Sequence, residues 1–311
     1  MKEKSKVQIP KRGLNHKTIF AAAAITIIVI SAVYAYSLSI HQTTATKAAI
    51  IDQLGSSKLS AAIREENQTF IQDATNLLLR RFISVDYYQD NATIDEYMHL
   101  ASSGYAMIIW RGHSALDLNG QYVALASTNK YPFVDLNGFL EDGRLTLCNV
   151  TTDPTQSLFF GITPTFISQV MDGRFQNTVI FLMSCNGLNP GYLKTAQAFR
   201  EKGAKVIISW DNWITGYDND GAAELLLQSL ITQNNSISQA VSKIPTYVSD
   251  FGSARLRFYP ATPETGNYVI PDYTQTQGSY TYSTATSNSA NRLGKLSETE
   301  RTRVHQPLET T

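Results

Sequence analysis

Three strongly apolar runs, separated by amphipathic helical patterns, limit the possible fold of this chain more than any other feature. The runs read "YAMIIW" (105–110), "NTVIFLMSC" (177–185) and "AKVIISW" (204–210). Runs of this length and composition are typical of strands that are buried on both faces. Because helical patterns alternate with these runs, we expect helices to cover both faces of a mostly parallel sheet. The sequence therefore predicts an α/β fold.

The predicted helices carry capping residues at their ends. In "TIDEYMHLASSG", Thr93 is a suitable N-cap, Glu96 follows three residues later, and Gly104 closes the segment. The helix "YLKTAQAFREKG" ends at Gly203. The polar region that contains "QYVALAS" and "RLTLCNV" favours hairpins, and "FISVDYY" and "ARLRFYP" are predicted as further strands.

An apolar segment near the N-terminus, residues 18–40, is long enough to cross a membrane, which requires roughly 20 apolar residues. The preceding residues 1–17 are rich in Lys and Arg, and such a basic flank stays in the cytoplasm. The sequence therefore predicts a single-pass transmembrane helix in the cell membrane, with the C-terminal domain outside the cytoplasm. The alternative is a cleaved signal peptide, with Val33-Tyr34-Ala35 as the cleavage site. Both interpretations export the domain.

Composition divides the rest of the chain into three parts. Residues 41–80 show apolar positions at helical spacing, which predicts a helical stalk. Residues 81–262 contain the alternating strands and helices of the predicted α/β domain. Residues 263–311 are rich in Thr, Ser, Gln, Tyr and Gly, a composition that buries little apolar surface and favours disorder.

Charge and motif content exclude several classes of partner. The chain has 26 Lys and Arg against 26 Asp and Glu, so no charge excess favours nucleic acid. No His, Asp or Glu cluster has metal-ligand spacing, and no Gly-rich loop has the form of a phosphate site. We therefore expect neither a metal nor a cofactor.

Residues able to take part in chemistry or binding lie at the end of each of the three apolar runs or just beyond it. These tips are Gly112-His113-Ser114, Ser184-Cys185-Asn186 and Trp210-Asp211. In a parallel sheet the carboxyl ends of the strands share one edge, where ligands bind. We therefore expect the three tips to lie near one another.

The tip residues allow two nucleophiles, and the pattern favours the cysteine. Gly112-His113-Ser114 begins a Gly-x-Ser-x-Gly elbow, but Leu116 stands where the second glycine is required, and a turn follows instead of a helix. Cys185 ends a buried strand, near backbone N–H groups that stabilise both a thiolate and an oxyanion. His113 is the one histidine predicted at a strand tip, and histidine is the natural general acid for a cysteine nucleophile. We expect His99 to be a solvated surface residue.

These residues, in this order, resemble the caspase-like cysteine peptidases of clan CD, and most closely the gingipain, clostripain and CHAT-domain branches. The resemblance covers roughly residues 82–259. It rests on an apolar strand ending in histidine, an apolar strand ending in Ser-Cys, and "GAKVIISW". The segments "NATIDEYMHLASSGYAMIIWRGHS" and "DGAAELLLQSLITQNNSISQAV" are similar to the family's flanking helices and strand.

The resemblance implies a three-layer sandwich and an endopeptidase acting on a peptide or protein substrate. Cys185 would be the nucleophile and His113 the general acid and base, without a strongly depressed thiol pKa. The backbone N–H groups of Ser114 and Cys185 would form the oxyanion hole. Trp210 and Asp211 would line the substrate cleft, and Asp211 would favour a basic residue before the scissile bond (the P1 residue). One departure is Ser114, since the family usually has glycine there, and a positive φ would strain a serine.

Two alternatives remain open at the level of sequence. An exported location permits a disulfide between Cys148 and Cys185, which would silence the thiol. A catalytically inactive caspase-like domain would then serve as a surface binding or adhesion module.

Overall fold

The computed structural model describes residues 45–117, 119, 121–151, 157–274 and 281–284. The predicted basic segment 1–17, the predicted membrane span 18–40 and tail residues 285–311 lie outside the described residues. Within the described part of the chain, no helix has the length and apolar character needed to cross a bilayer.

A seven-stranded sheet forms the centre of the molecule, in the order β12-β9-β8-β3-β1-β2-β13. Every neighbouring pair is parallel except β12 with β9, which is antiparallel. The chain is thus a mixed α/β protein with a mostly parallel central sheet, as the alternating pattern predicts. The strands are β1 (Lys47–Asp52), β2 (Ser84–Tyr88), β3 (Tyr105–Arg111), β8 (Val179–Met183), β9 (Val206–Trp210), β12 (Leu256–Tyr259) and β13 (Thr281–Thr284).

Two antiparallel elements accompany the central sheet. A four-stranded sheet, ordered β4-β5-β7-β6, is formed by the region predicted as hairpins, and a short hairpin pairs β10 with β11. Their strands are β4 (Ser114–Leu116), β5 (Val123–Lys130), β6 (Leu145–Cys148), β7 (Phe159–Ile162), β10 (Tyr247–Ser249) and β11 (Gly252–Ala254).

Helices pack on both faces of the central sheet, and side-chain caps define where several of them begin. Thr93 accepts a hydrogen bond from the Glu96 N–H, as the sequence predicts, and Gly104 and Gly203 follow their helices with positive φ. The α-helices are α1 (Gln68–Leu78), α2 (Ile94–His99), α3 (Asn137–Glu141), α4 (Pro164–Gln169), α5 (Lys194–Glu201), α6 (Gly216–Leu227), α7 (Ile237–Ser242) and α8 (Pro263–Gly266).

The core has two layers because alternate residues of each strand point to opposite faces. On β3, Ile109 packs into the layer formed with α1, α6 and α7. Its neighbours Ile108 and Trp110 pack into the layer formed with α2, α4 and α5. The strands are therefore apolar on both faces, which explains why the runs in the sequence are continuous.

The structure differs from the predicted helical stalk at residues 41–80. Lys47–Asp52 forms β1, which lies between β2 and β3 in the interior of the sheet. Within the described residues 45–80, only Gln68–Leu78 is a regular helix, and its Phe70 is fully buried against the sheet. The short apolar run "AAII", followed by turn residues at 55–57, is typical of a strand, but the helical spacing of the longer segment led to the prediction of a helix.

The predicted disordered tail also differs from the structure in its first part. Residues 263–266 form α8, Ile270 is buried, and Tyr273 stacks on Phe82 at a centroid distance of 5.6 Å. The backbone of residues 281–284 adds β13 beside β2. The first residues of the tail therefore pack on the domain.

Candidate active site

Two of the three predicted strand tips meet at a cavity of about 370 Å³ at the carboxyl edge of the sheet. β3 and β8 are neighbours in the sheet, so the residues that follow them lie side by side. The residues that line the cavity include Glu65, His113, Ser114, Cys185, Trp213, Gly216 and Phe251. The structure thus brings the tips of β3 and β8 together, as the sequence predicts.

Both the backbone and the ring of His113 are held by hydrogen bonds. Its N–H donates to Gln53 Oε1 at 2.9 Å, and its carbonyl accepts from the Ala126 N–H at 3.0 Å. The ring nitrogen Nε2 lies 2.8 Å from the Ile63 carbonyl oxygen. Because a carbonyl only accepts, Nε2 carries the proton and Nδ1 is left as the basic nitrogen of the neutral ring.

Burial lowers the pKa of His113 below its ordinary value, because the charged imidazolium is poorly solvated in the cavity wall. The hydrogen bond to Ile63 opposes this effect, and the positive charge of Arg111 adds to it. His113 is therefore neutral at pH 7.

Cys185 is a free, partly exposed thiol, and its Sγ lies 3.5 Å from the Ile214 carbonyl oxygen. Burial raises the pKa of this thiol, and the negative charge of Glu65 raises it further. Cys148 is a second free thiol, fully buried on β6. The structure therefore does not contain the disulfide that the sequence left open.

The backbone of Ser114 directs its N–H away from the neighbouring strand. Hydrogen-bonded and non-bonded pairs alternate along β4 and β5, and residues 113 and 117 occupy bonded positions. Ser114 occupies a non-bonded position, so its N–H is not used by β5. Among the described non-glycine residues, only Asn177, Asn186 and Asn234 have positive φ. Serine is thus unstrained where the resembling family has glycine.

Glu65 brings a carboxylate to the cavity from the loop between β1 and α1. A Cβ built on Gly216 would overlap Glu65 Oε2, so the carboxylate rests on the first turn of α6. Desolvation raises the pKa of this carboxyl, although the positive charge of Arg111 works in the opposite direction. Within the described part of the chain, the Glu65 side chain forms no ion pair.

A buried ion cluster lies beneath the cavity. Arg111 is only 1% exposed and binds Asp220 through Nε at 2.7 Å and Nη2 at 2.8 Å, and Asp52 through Nη1 at 2.8 Å. Asn67 also donates to Asp220, at 2.9 Å. The cluster joins β3, the β1–α1 loop and α6. His113 follows β3, Glu65 lies in the loop, and the first turn of α6 forms part of the cavity wall.

Aromatic side chains form the rim of the cavity. Trp213 and Phe251 contact each other at a centroid distance of 5.7 Å and are 44% and 71% exposed. Exposed apolar groups beside a cavity are typical of binding surfaces. The rim is suited to the apolar parts of an extended ligand.

The third predicted tip does not line this cavity, and the prediction for Trp210 and Asp211 was wrong. Trp210 is fully buried, and its indole N–H donates to Asn219 at 2.9 Å. Asp211 accepts from Arg257 Nε at 3.0 Å and from the Arg255 N–H at 2.8 Å, in a separate polar depression. The last residue of β9 points into the core and the next one turns away from the site.

No local pattern points to Glu65 or Gln53, because both lie in a loop whose path depends on the tertiary fold. Arg111 was detectable in principle, since a charge that ends the apolar run "YAMIIW" must be paired if the strand is buried. His99, predicted as a surface residue, has a 40% exposed side chain that contacts Asp172 at 2.8 Å.

Within the described residues, no group of three or more His, Cys, Asp or Glu side chains is placed to hold a metal ion. No protein-family model matches this chain, and a search of the curated proteins found no match either. The chemistry of the site therefore has to be derived from its own geometry.

Proposed function

We propose that this chain is a cysteine endopeptidase with a caspase-like fold and a Cys185–His113 dyad. The observation that carries the proposal is the placement of a free thiol and a neutral imidazole on adjacent strand tips that line one cavity. The hydrogen bond from Nε2 to Ile63 leaves Nδ1 able to accept the thiol proton. The three-layer arrangement and the order of strand, histidine, strand and cysteine support the resemblance to clan CD.

In the proposed reaction, Cys185 Sγ attacks the scissile carbonyl carbon and its proton passes to His113. The carbonyl π electrons move to the oxygen, and the N–H groups of Ser114 and Cys185 stabilise the resulting oxyanion. The C–N bond then breaks, and His113 returns the proton to the leaving amine. Water hydrolyses the thioester, with His113 as base, which regenerates the thiol.

Glu65, rather than Asp211, is the residue that supports a preference for a basic P1 side chain. Asp211 already pairs with Arg257, whereas the Glu65 carboxylate lines the cavity and has no cationic partner among the described residues. An Arg or Lys side chain entering the cavity would supply that partner. A hydrogen bond between charged groups contributes about 1.5–3 kcal/mol.

The proposal includes the location predicted from the sequence. Residues 18–40 would anchor the protein in the cell membrane, with the peptidase domain outside the cytoplasm and a peptide or protein as substrate. The rim formed by Trp213 and Phe251 supports binding of an extended peptide.

The experiment that tests the dyad is covalent labelling of the full-length chain with a peptidyl chloromethylketone that carries Arg at P1. We expect labelling of Cys185, located by peptide mass spectrometry, in the wild type. The substitution Cys185→Ala should abolish labelling, and His113→Ala should slow it by at least 100-fold. Cys148→Ala is the matched control and should leave labelling unchanged, because Cys148 is fully buried.

The same probe series tests the role of Glu65. Glu65→Gln should reduce labelling by the Arg probe about 10- to 100-fold while leaving a probe with Leu at P1 within about threefold. Glu66→Gln, which changes the neighbouring glutamate that contacts Arg64, is the control. If Cys185 reacts with none of the peptidyl probes, the alternative of an inactive binding module is favoured.

A further inference from the structure

We propose that the Ser114 hydroxyl is a clamp that holds the two strand tips in register, so that the oxyanion donors of this site are fixed before substrate binds. The inference rests on the proposed function. It assigns to the Ser114 side chain a positioning role that is separate from the role of its backbone N–H.

The clamp is a single short hydrogen bond between the two tips. Ser114 Oγ donates to the Cys185 carbonyl oxygen at 2.7 Å. The ladder between β3 and β8 ends at the pair Arg111 and Met183, and the next bond, from the Gly112 N–H to the Met183 carbonyl, is already 3.4 Å long. Beyond this point, within the described residues, the Ser114 hydroxyl makes the hydrogen bond that joins the two tips.

The clamp acts on the atoms that the reaction needs. Its donor belongs to the residue that supplies one oxyanion N–H, and its acceptor belongs to the residue that supplies the other N–H and the sulfur. Displacement of a catalytic group by about 1 Å can reduce a rate about 100-fold. Loss of the clamp therefore weakens stabilisation of the oxyanion more than it weakens substrate binding.

The same bond argues against Ser114 as a nucleophile. Its proton is directed at a backbone carbonyl, which is not a general base. Gln53 accepts a hydrogen bond from the backbone N–H of His113, and the Ile63 carbonyl accepts one from its ring nitrogen Nε2, so His113 is already fixed at its backbone and its ring. Ser114 completes this arrangement by fixing the tip to β8.

A reversible peptide aldehyde separates positioning from binding. The thiol sulfur adds to the aldehyde carbon and forms an S–C bond, while the thiol proton passes to His113. The π electrons of the C=O bond move to the aldehyde oxygen, which becomes an oxyanion. The matched peptide alcohol has the same side chains but cannot form this adduct. The ratio of the two inhibition constants, measured on the full-length chain, therefore reports formation of the adduct and its oxyanion separately from binding of the peptide side chains.

Removal of the hydroxyl should change this ratio. Ser114→Ala should raise the aldehyde inhibition constant about 10- to 100-fold and leave that of the alcohol within threefold. Ser114→Thr, which keeps the hydroxyl, should restore aldehyde binding to within about threefold. Ser114→Gly provides a second variant without the hydroxyl, in case the alanine variant does not fold.

Thr178→Val is the matched structural control. The Thr178 hydroxyl donates to the Tyr105 carbonyl at 2.6 Å and joins the same two strands at the opposite edge of the sheet. Loss of this hydrogen bond should lower the midpoint temperature of thermal unfolding about as much as Ser114→Ala does. It should leave the ratio of the aldehyde and alcohol inhibition constants unchanged. An unchanged ratio in Ser114→Ala, or an equal change in Thr178→Val, would overturn the clamp.

Different results would contradict the Ser114 clamp and the proposed peptidase activity of Cys185. If the wild type binds the aldehyde covalently and Ser114→Ala binds it equally well, only the clamp is wrong. If the wild type forms no thiohemiacetal at Cys185, the proposed peptidase activity is wrong, and the clamp fails with it.

Discussion

At the scale of single residues, the directions of two pKa shifts determine the resting state of the proposed dyad. Burial lowers the pKa of His113 below its ordinary value of 6.5 and raises that of Cys185 above its ordinary value of 9.0. Between these values both groups are neutral, so the resting site contains a thiol and an imidazole rather than an ion pair. Its chemistry depends on proton transfer within the substrate complex.

This resting state predicts the pH dependence of the proposed reaction. For a substrate with an uncharged P1 residue, kcat/KM should be flat between about pH 6.5 and 9. It should fall below that range because protonated His113 cannot accept the thiol proton, and above it because ionised Cys185 leaves no proton for the amine. A pH series of kcat/KM tests this, together with the rate of iodoacetamide alkylation. Fast alkylation of Cys185 at pH 5 would instead indicate a thiolate–imidazolium pair.

The sequence indicates the two residues of the proposed dyad but only part of what surrounds them in the structure. His113 and Cys185 are detectable because His113 lies three residues after one continuous apolar run and Cys185 ends another, and such runs define parallel strands. Glu65 is 48 positions before His113 and lies in a loop, so only the folded chain brings it to the cavity. Trp210 was misassigned because the alternation of side chains directs the last residue of β9 into the core.

At the scale of secondary-structure elements, the N-terminus of α6 positions the acidic group of the cavity. Glu65 rests on Gly216, where any side chain would displace the carboxylate. Gly216→Ala should therefore reduce labelling by the Arg probe about 10-fold, while the Leu probe is unaffected. If Gly216→Ala is labelled by both probes at the wild-type rate, the position of the Glu65 carboxylate does not depend on its contact with Gly216.

Gly221→Ala is the matched control within the same helix. A Cβ at position 221 meets nothing within 4 Å, so the substitution should leave labelling unchanged and stabilise the helix by about 0.5–1 kcal/mol. Comparison of the two variants separates the steric effect at the cavity from the general effect of alanine on helix stability.

The elements also show where sequence patterns lose their predictive power. The continuous runs of β3, β8 and β9 and the caps at Thr93 and Gly203 are local signals, and the structure contains the strands and helices that they predict. β1 has only six residues and follows an apolar segment, so its short strand pattern was interpreted as part of a longer helical pattern. Its identity depends on pairing with β2 and β3, which lie 32 or more residues later in the chain.

At the scale of the whole molecule, the buried ion cluster couples the site to the stability of the fold. Among the described residues, Arg111 is the one cation that pairs with Asp52 and Asp220, and each of the three is at most 5% exposed. Burial raises the pKa of Asp52, and the positive charge of Arg111 is the largest opposing effect. Without that charge, two carboxylates would be left unpaired in the core.

Arg111→Met should therefore lower the free energy of unfolding by about 3–5 kcal/mol at pH 7.5 in urea titrations. Without the cation, burial raises the pKa of Asp52 further, because the positive charge of Arg111 no longer opposes it. A carboxyl with a raised pKa contributes stability at low pH that is lost as the pH rises through that pKa. The deficit of Arg111→Met relative to the wild type should consequently shrink between pH 7.5 and pH 5.5.

Arg257→Met provides the matched comparison, because Arg257 also binds an aspartate but is 52% exposed. An exposed pair contributes at most about 1 kcal/mol, so this variant should unfold close to the wild type at both pH values. A small, pH-independent effect of Arg111→Met would show that the protein tolerates the unpaired carboxylates, for instance through water. A large effect that diminishes on acidification would show that one buried cation holds together the three segments that carry His113, Glu65 and the wall of the cavity.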